Sequence, residues 1–102
     1  MKVYLDDERN TPEGWVRTYT VEETIEHLKT REVAELSLDN DLGIDLKEGF
    51  IVLDWLEETI YNDSTFPLPV IFIHSANSSR VRYMQQTRDA IKRIRHRQFG
   101  GV

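Results

Sequence analysis

The sequence predicts an α/β layer fold with a mainly parallel sheet, folded as a single domain over residues 1–102. Short β-favouring runs alternate with amphipathic helical stretches, the pattern of strand–helix–strand units. Pro69-Val70-Ile71-Phe72-Ile73 is apolar at every position, as expected of a parallel strand covered by helices on both faces. Three of the runs end abruptly in polar clusters, at Asp6-Asp7, at Asp39 and at His74-Ser75.

The elements follow in order. Lys2 to Leu5 is a strand stopped by Asp6-Asp7, and residues 8–14 form a polar loop punctuated by Pro12 and Gly14. Trp15 to Tyr19 alternates aromatic, apolar and polar residues and reads as a second strand. Nine residues separate Leu5 from Trp15, short for a parallel crossover, which usually takes about a dozen or more. The crossover is then a compact loop without a helix, the favoured reading, or the second strand runs antiparallel. Thr20 and Glu23 fit a capping box. Val21, Ile25 and Leu28 fall on one face of a helix over 21–30. Val33 to Leu38 is the third strand. Gly49 opens a second helix with an apolar stripe of Phe50, Leu53, Leu56 and Ile60, and Trp55 lies off that stripe. A turn region with two prolines leads into the strand ending at Ile73. The last helix runs from about Arg80 to Arg97, with Val81, Met84, Ile91 and Ile94 inward, and Gly100-Gly101 ends it.

With 102 residues, 39% of them hydrophobic, the chain supports one core. It has no cysteine, so disulfides and thiolate metal sites are excluded. No apolar run reaches transmembrane length and no signal segment opens the chain, so the expected location is the cytoplasm, with no membrane partner. The net charge of −5 is unevenly spread. Residues 1–79 hold 6 of the 13 Lys+Arg and 17 of the 18 Asp+Glu, while residues 80–102 hold 7 cations and only Asp89. Such a basic segment either meets an anionic partner or packs beside its own acidic neighbours.

In open parallel sheets, ligands bind beyond the carboxyl ends of the strands. Asp6, Asp7, Asp39, Asp41, His74 and Ser75 all lie just past such ends. Carboxylates gathered there repel one another unless a cation sits among them. Mg²⁺ suits an all-oxygen set, and a single nearby histidine makes zinc the weaker reading. The expected metal ligands are therefore Asp6, Asp7, Asp39 and Asp41. His74, whose ordinary pKa is near neutrality, is the candidate general acid or base. Ser75 and Asn77 precede the last helix, whose N-terminus offers free N–H groups to a phosphate, and Arg9 is a further phosphate contact. Each of these residues also has a bland reading, as a turn or helix cap.

The acidic pair after the first strand, Asp39 after the third and Pro-Val-Ile-Phe-Ile resemble the receiver domains of two-component signalling. That resemblance implies a flavodoxin-like three-layer sandwich of about four strands, the fifth strand missing, with Asp39 at the phosphoryl-acceptor position and Asp41 at the position of a metal-binding carbonyl. Receivers carry Thr or Ser where this chain has His74-Ser75, and a Lys on the fifth strand. A closer resemblance is to the cyclic-phosphate processing receiver domain, on Asp6-Asp7-Glu8-Arg9, Gly14-Trp15, Ser37-Leu38-Asp39-Asn40-Asp41-Leu42-Gly43, Gly49-Phe50, His74-Ser75-Ala76-Asn77 and Met84. This chain has Asn40 where the family often has His, and Ser78-Ser79 where Pro and Gly are usual. The resemblance implies a Mg²⁺-dependent phosphoesterase acting on cyclic phosphates, for example 2′,3′-cyclic RNA ends. Asp39 and His74 would be catalytic, and the basic last helix would contact the nucleic acid. The alternative is a non-catalytic receiver-like module with a protein or nucleotide partner.

Overall fold

The computed structural model describes residues 1–42, 47–75 and 78–100, the side chain of residue 78 excepted. Its elements are β1 (Lys2–Leu5), β2 (Val16–Thr18), α1 (Val21–Lys29), β3 (Glu35–Leu38), α2 (Phe50–Asn62), β4 (Val70–Ile73) and α3 (Ser78–Gln98). The four strands form one sheet in the order β2-β1-β3-β4, and every pairing is parallel. This is a receiver-like α/β fold. The short β1–β2 connection is a compact loop without a helix and β2 is parallel, anchored where the Asp6 N–H donates to the Thr18 carbonyl (3.2 Å).

Register decides which residues share a face. Val3, Leu36 and Ile71 lie side by side across the sheet, as do Leu5, Leu38 and Ile73. They join Val21 and Leu28 of α1, Val52, Leu53, Leu56 and Ile60 of α2, and Met84 and Ile91 of α3 in one apolar cluster. All three helices therefore cover this face. Right-handed crossovers explain the placement of α1 and α2, because β2→β3 and β3→β4 both step the same way across the sheet. The helix boundaries match local chemistry. The Thr20 hydroxyl accepts from the Glu23 N–H (3.1 Å), capping α1, and Gly100 follows α3 at a φ of 79°.

The other face carries Lys2 and Tyr4 of β1, Glu35 and Ser37 of β3, and Val70 and Phe72 of β4. Among the described residues no helix covers this face. Trp15, from the β1–β2 loop, lies across the face instead, edge-on to Tyr4 (6.1 Å) and to Phe72 (6.3 Å), with the Lys2 ammonium over its ring. The expectation that β4 is covered on both faces is corrected accordingly. Among the described residues no strand lies beyond β4, which is a sheet edge, and Val70 and Phe72 are 56% and 44% exposed. The stripe of α2 is also shifted, with Val52 buried and Phe50 only partly so, while Trp55 packs at the edge against Phe66 (5.8 Å).

Candidate metal centre at the strand ends

The chain leaves β1, β3 and β4 at neighbouring points, and the registers that pair Leu5 with Leu38 and Leu38 with Ile73 bring Asp6, Asp39 and His74 to one rim. One carboxylate oxygen from each of Asp6, Asp7 and Asp39 lies within 4.8 Å of the others. Asp6 and Asp39 are 1% and 9% exposed. Burying like charges this close is costly without compensation, and each carboxylate meets a different environment.

Asp6 is held from three sides. Its Oδ1 accepts from the N–H groups of Glu8 (2.8 Å) and Arg9 (3.1 Å), a turn that sends the chain back over the rim. Its Oδ2 is 3.0 Å from His74 Nε2 and 3.9 Å from Arg9 Nε. Burial pushes the Asp6 carboxyl up, but the two backbone donors and His74 outweigh it and hold the group below the usual range. Asp39 goes the other way. Burial and then the neighbouring charge of Asp6 raise it, against the Asp41 N–H and the Ser75 hydroxyl that bond it. Asp6 is thus the standing anion, and Asp39 the carboxylate whose ionisation most needs a cation.

His74 is fixed on both edges and on its ring face. The ring stacks on Tyr4, 4.4 Å away and nearly parallel, and Nδ1 lies 2.7 Å from Ser37 Oγ. Burial lowers its pKa below the ordinary histidine value despite the pull of Asp6, which favours the neutral imidazole. A carboxylate can only accept. Nε2 therefore carries the proton and donates to Asp6, and Nδ1 accepts from the Ser37 hydroxyl. Arg9 donates through Nη1 to the His74 carbonyl, tying the first loop to the end of β4.

The structure thus brings together Asp6, Asp7, Asp39, His74, Ser75 and Arg9. Asp41 is exposed and stands outside the trio of carboxylates, with its N–H 3.4 Å from Asp39 Oδ1. Asn77, predicted to contact phosphate, lies outside the described residues.

Four residues take a supporting role that the sequence alone does not assign. Tyr4 and Ser37 occupy the uncovered face directly beneath His74, which only the strand register reveals. Asn40 is buried, its Oδ1 accepting from the Phe50 N–H (3.0 Å) at the start of α2 while Nδ2 donates to Glu48 (3.2 Å). Gly49 packs on the backbone of Asp39, where a Cβ would overlap the Asp39 carbonyl. The Gly-Phe pair was the available signal, since glycine at a helix start often marks a close backbone approach.

The donor set fits a hard divalent cation, because all three candidate ligands are oxygens. The acceptor sites of Asp6 are mostly taken, which leaves Asp7 and Asp39 as the more open donors. A family model described as cyclic-phosphate processing receiver domain matches residues 1–90. The chain belongs to that family. No curated protein and no solved structure matches it. Membership links this chain to cyclic-phosphate processing, and the acidic cluster is one that could bind a divalent metal. Among the described residues no helix is long and apolar enough to cross a membrane.

Proposed function

We propose that this cyclic-phosphate processing receiver domain hydrolyses cyclic phosphodiesters, with 2′,3′-cyclic phosphate RNA ends as the substrate class. The observation that carries this reading is the convergence of Asp6, Asp7 and Asp39 beside a doubly hydrogen-bonded histidine. Asp6, Asp7 and Asp39 would hold Mg²⁺, which supplies charge stabilisation for phosphoryl oxygens. Arg9, about half exposed, and Ser75 border the trio and would orient the phosphate, and Asn77 belongs to the same segment. Asp39 is a metal ligand or the nucleophile, and its raised pKa makes it the group most altered by a bound cation.

His74 has a positioning part in this reading. Both ring nitrogens are engaged, so the ring sets the orientation of Asp6, and a proton moves through it only if the Asp6 or Ser37 contact opens. That saturation favours a second reading, a module that binds a phosphate without turning it over, as a partner-binding receiver would.

The test uses an oligonucleotide ending in a 2′,3′-cyclic phosphate, incubated with the full chain with and without Mg²⁺. Conversion to a phosphomonoester that needs Mg²⁺, and falls at least a hundredfold in Asp39→Asn, supports the hydrolase. Mg²⁺-dependent binding without conversion assigns the module. Full turnover in Asp39→Asn removes Asp39 from the mechanism.

A further inference from the structure

The outer surface of the helical layer carries two ridges of opposite charge. On α2, Asp54, Glu57, Glu58 and Tyr61 recur at helical spacing and wall a groove of about 480 Å³ shared with Ile94 of α3. Past Tyr61 the groove reaches Arg97 and Gln98. On α3, Arg82, Arg93 and Arg97 are exposed. Their spacing places them along the outward side of the helix, with the exposed Asp89 between Arg82 and Arg93, and Arg97 reaches the groove. Among the described residues none of Glu57, Glu58, Arg82, Arg93 and Arg97 forms an ion pair. Between the ridges Tyr61 is 72% exposed. The basic segment of the chain therefore does not spend these charges on its own acidic neighbours.

A nucleic-acid strand laid in this groove would run against the carboxylates of α2, and a cationic peptide would meet the arginines of α3. A fitting partner carries both signs in reversed order, and this chain is such a partner. The two helices run side by side in the same direction. Phe50 and Tyr83 meet near their starts (5.4 Å), and Gln98 Nε2 donates to the Ile60 carbonyl near their ends (2.6 Å). A two-fold axis in the plane of contact, lying along the helices and between them, sets α2 of each copy over α3 of the other without reversing direction. Glu57 and Glu58 lie between the level where Tyr83 bonds Asp54 and the level where Tyr61 flanks Arg97. Arg93 lies between the same levels. Self-complementarity of this kind is what an isologous interface requires.

We propose that the α2–α3 face is a homodimer interface, in which the Glu57–Glu58 ridge of each copy pairs with the Arg93–Arg97 ridge of the other around Tyr61 and Ile94. The interface is independent of the strand-end site.

Sedimentation velocity of the full chain, from micromolar to millimolar concentration at low salt, is the test. A species of twice the 12.0 kDa chain mass is expected, shifting toward monomer as salt screens the pairs. Glu57→Lys/Glu58→Lys and Arg93→Glu/Arg97→Glu each place like charges together and should be monomeric. Mixing the two variants restores opposite charges at both contacts and should recover the doubled mass, which also shows that both are folded. A wild type that is monomeric throughout overturns the proposal, as does a dimer indifferent to reversal or a mixture that stays monomeric. Monomers whose binding to homopolymeric RNA is lost in Arg93→Glu/Arg97→Glu would assign the arginine ridge to a polyanion instead.

Discussion

The two faces of the sheet are built to different standards. One is closed by three helices over Val3, Leu5, Leu36 and Leu38, all at 0% exposure. The other is closed by one indole, with Val70 and Phe72 left partly in water. The candidate site takes its support from the thin face. Tyr4 stacks on His74, Ser37 bonds its Nδ1, and the ring carries that support to Asp6. The thick face supplies folding free energy, whereas the thin face orients a rim of charged groups and can stay thin because Trp15 and His74 spread over it. Stability and site geometry should therefore respond separately to substitution.

Breaking the thick face should cost the most. Leu36→Ala removes a fully buried side chain from the middle of the sheet, and large-to-small changes of this kind leave a cavity. The expected loss is ~3 kcal/mol, read as a lowered urea midpoint with an unchanged slope. Mg²⁺ affinity of the folded fraction should stay within a few-fold of wild type. Loss of metal binding in step with stability would show that the faces are not separable.

Gly49→Ala tests the seam between the faces. Its Cβ would push directly on the Asp39 carbonyl, and backbone cannot yield as a flexible side chain can. A cost of ~2 kcal/mol follows by analogy with overpacking, with a larger effect on the site because Asp39 moves with its carbonyl. Titration calorimetry with Mg²⁺ should show the greater loss here than in Leu36→Ala, and equal affinities would detach Gly49 from the site.

Much of this division was legible in the sequence, and what was not has a physical reason. Strand ends that stop in carboxylates announce themselves, since a charge that closes an apolar run is costly to bury without partners, and Asp6, Asp7 and Asp39 stand out on that ground. The compact parallel β1–β2 crossover is the favoured of two readings, since a loop of nine residues is also open to an antiparallel second strand. The exposed side of β4 was misread because an apolar strand is compatible with either a centre or an edge. Tyr4 and Ser37 were invisible for a different reason. Their partners sit on other strands, and only the register between strands puts a tyrosine and a serine under one histidine. Asn40 looks like an altered site residue, but its side chain accepts from the Phe50 N–H at the start of α2, a destination that only the path of the chain defines.

The thin face offers the smallest and most discriminating test. Trp15 is only partly buried and touches Tyr4 and Phe72 by ring edges, so Trp15→Ala should cost less than a core truncation, ~1.5 kcal/mol from lost apolar burial and edge contacts. Its effect on the site should exceed its effect on stability. Tyr4 loses the ring that braces it from the side, and the stack holding His74 against Ser37 and Asp6 loosens. The His74 ring resonances, shifted by the Tyr4 ring current in the wild type, should move toward free-imidazole positions in Trp15→Ala. Trp15→Phe should move them less, because a smaller ring still spans part of the distance between Tyr4 and Phe72. If the resonances stay in place while stability falls, Trp15 is a lid on the sheet and nothing more. In that case Tyr4 and Ser37 suffice to hold the histidine on an otherwise open face.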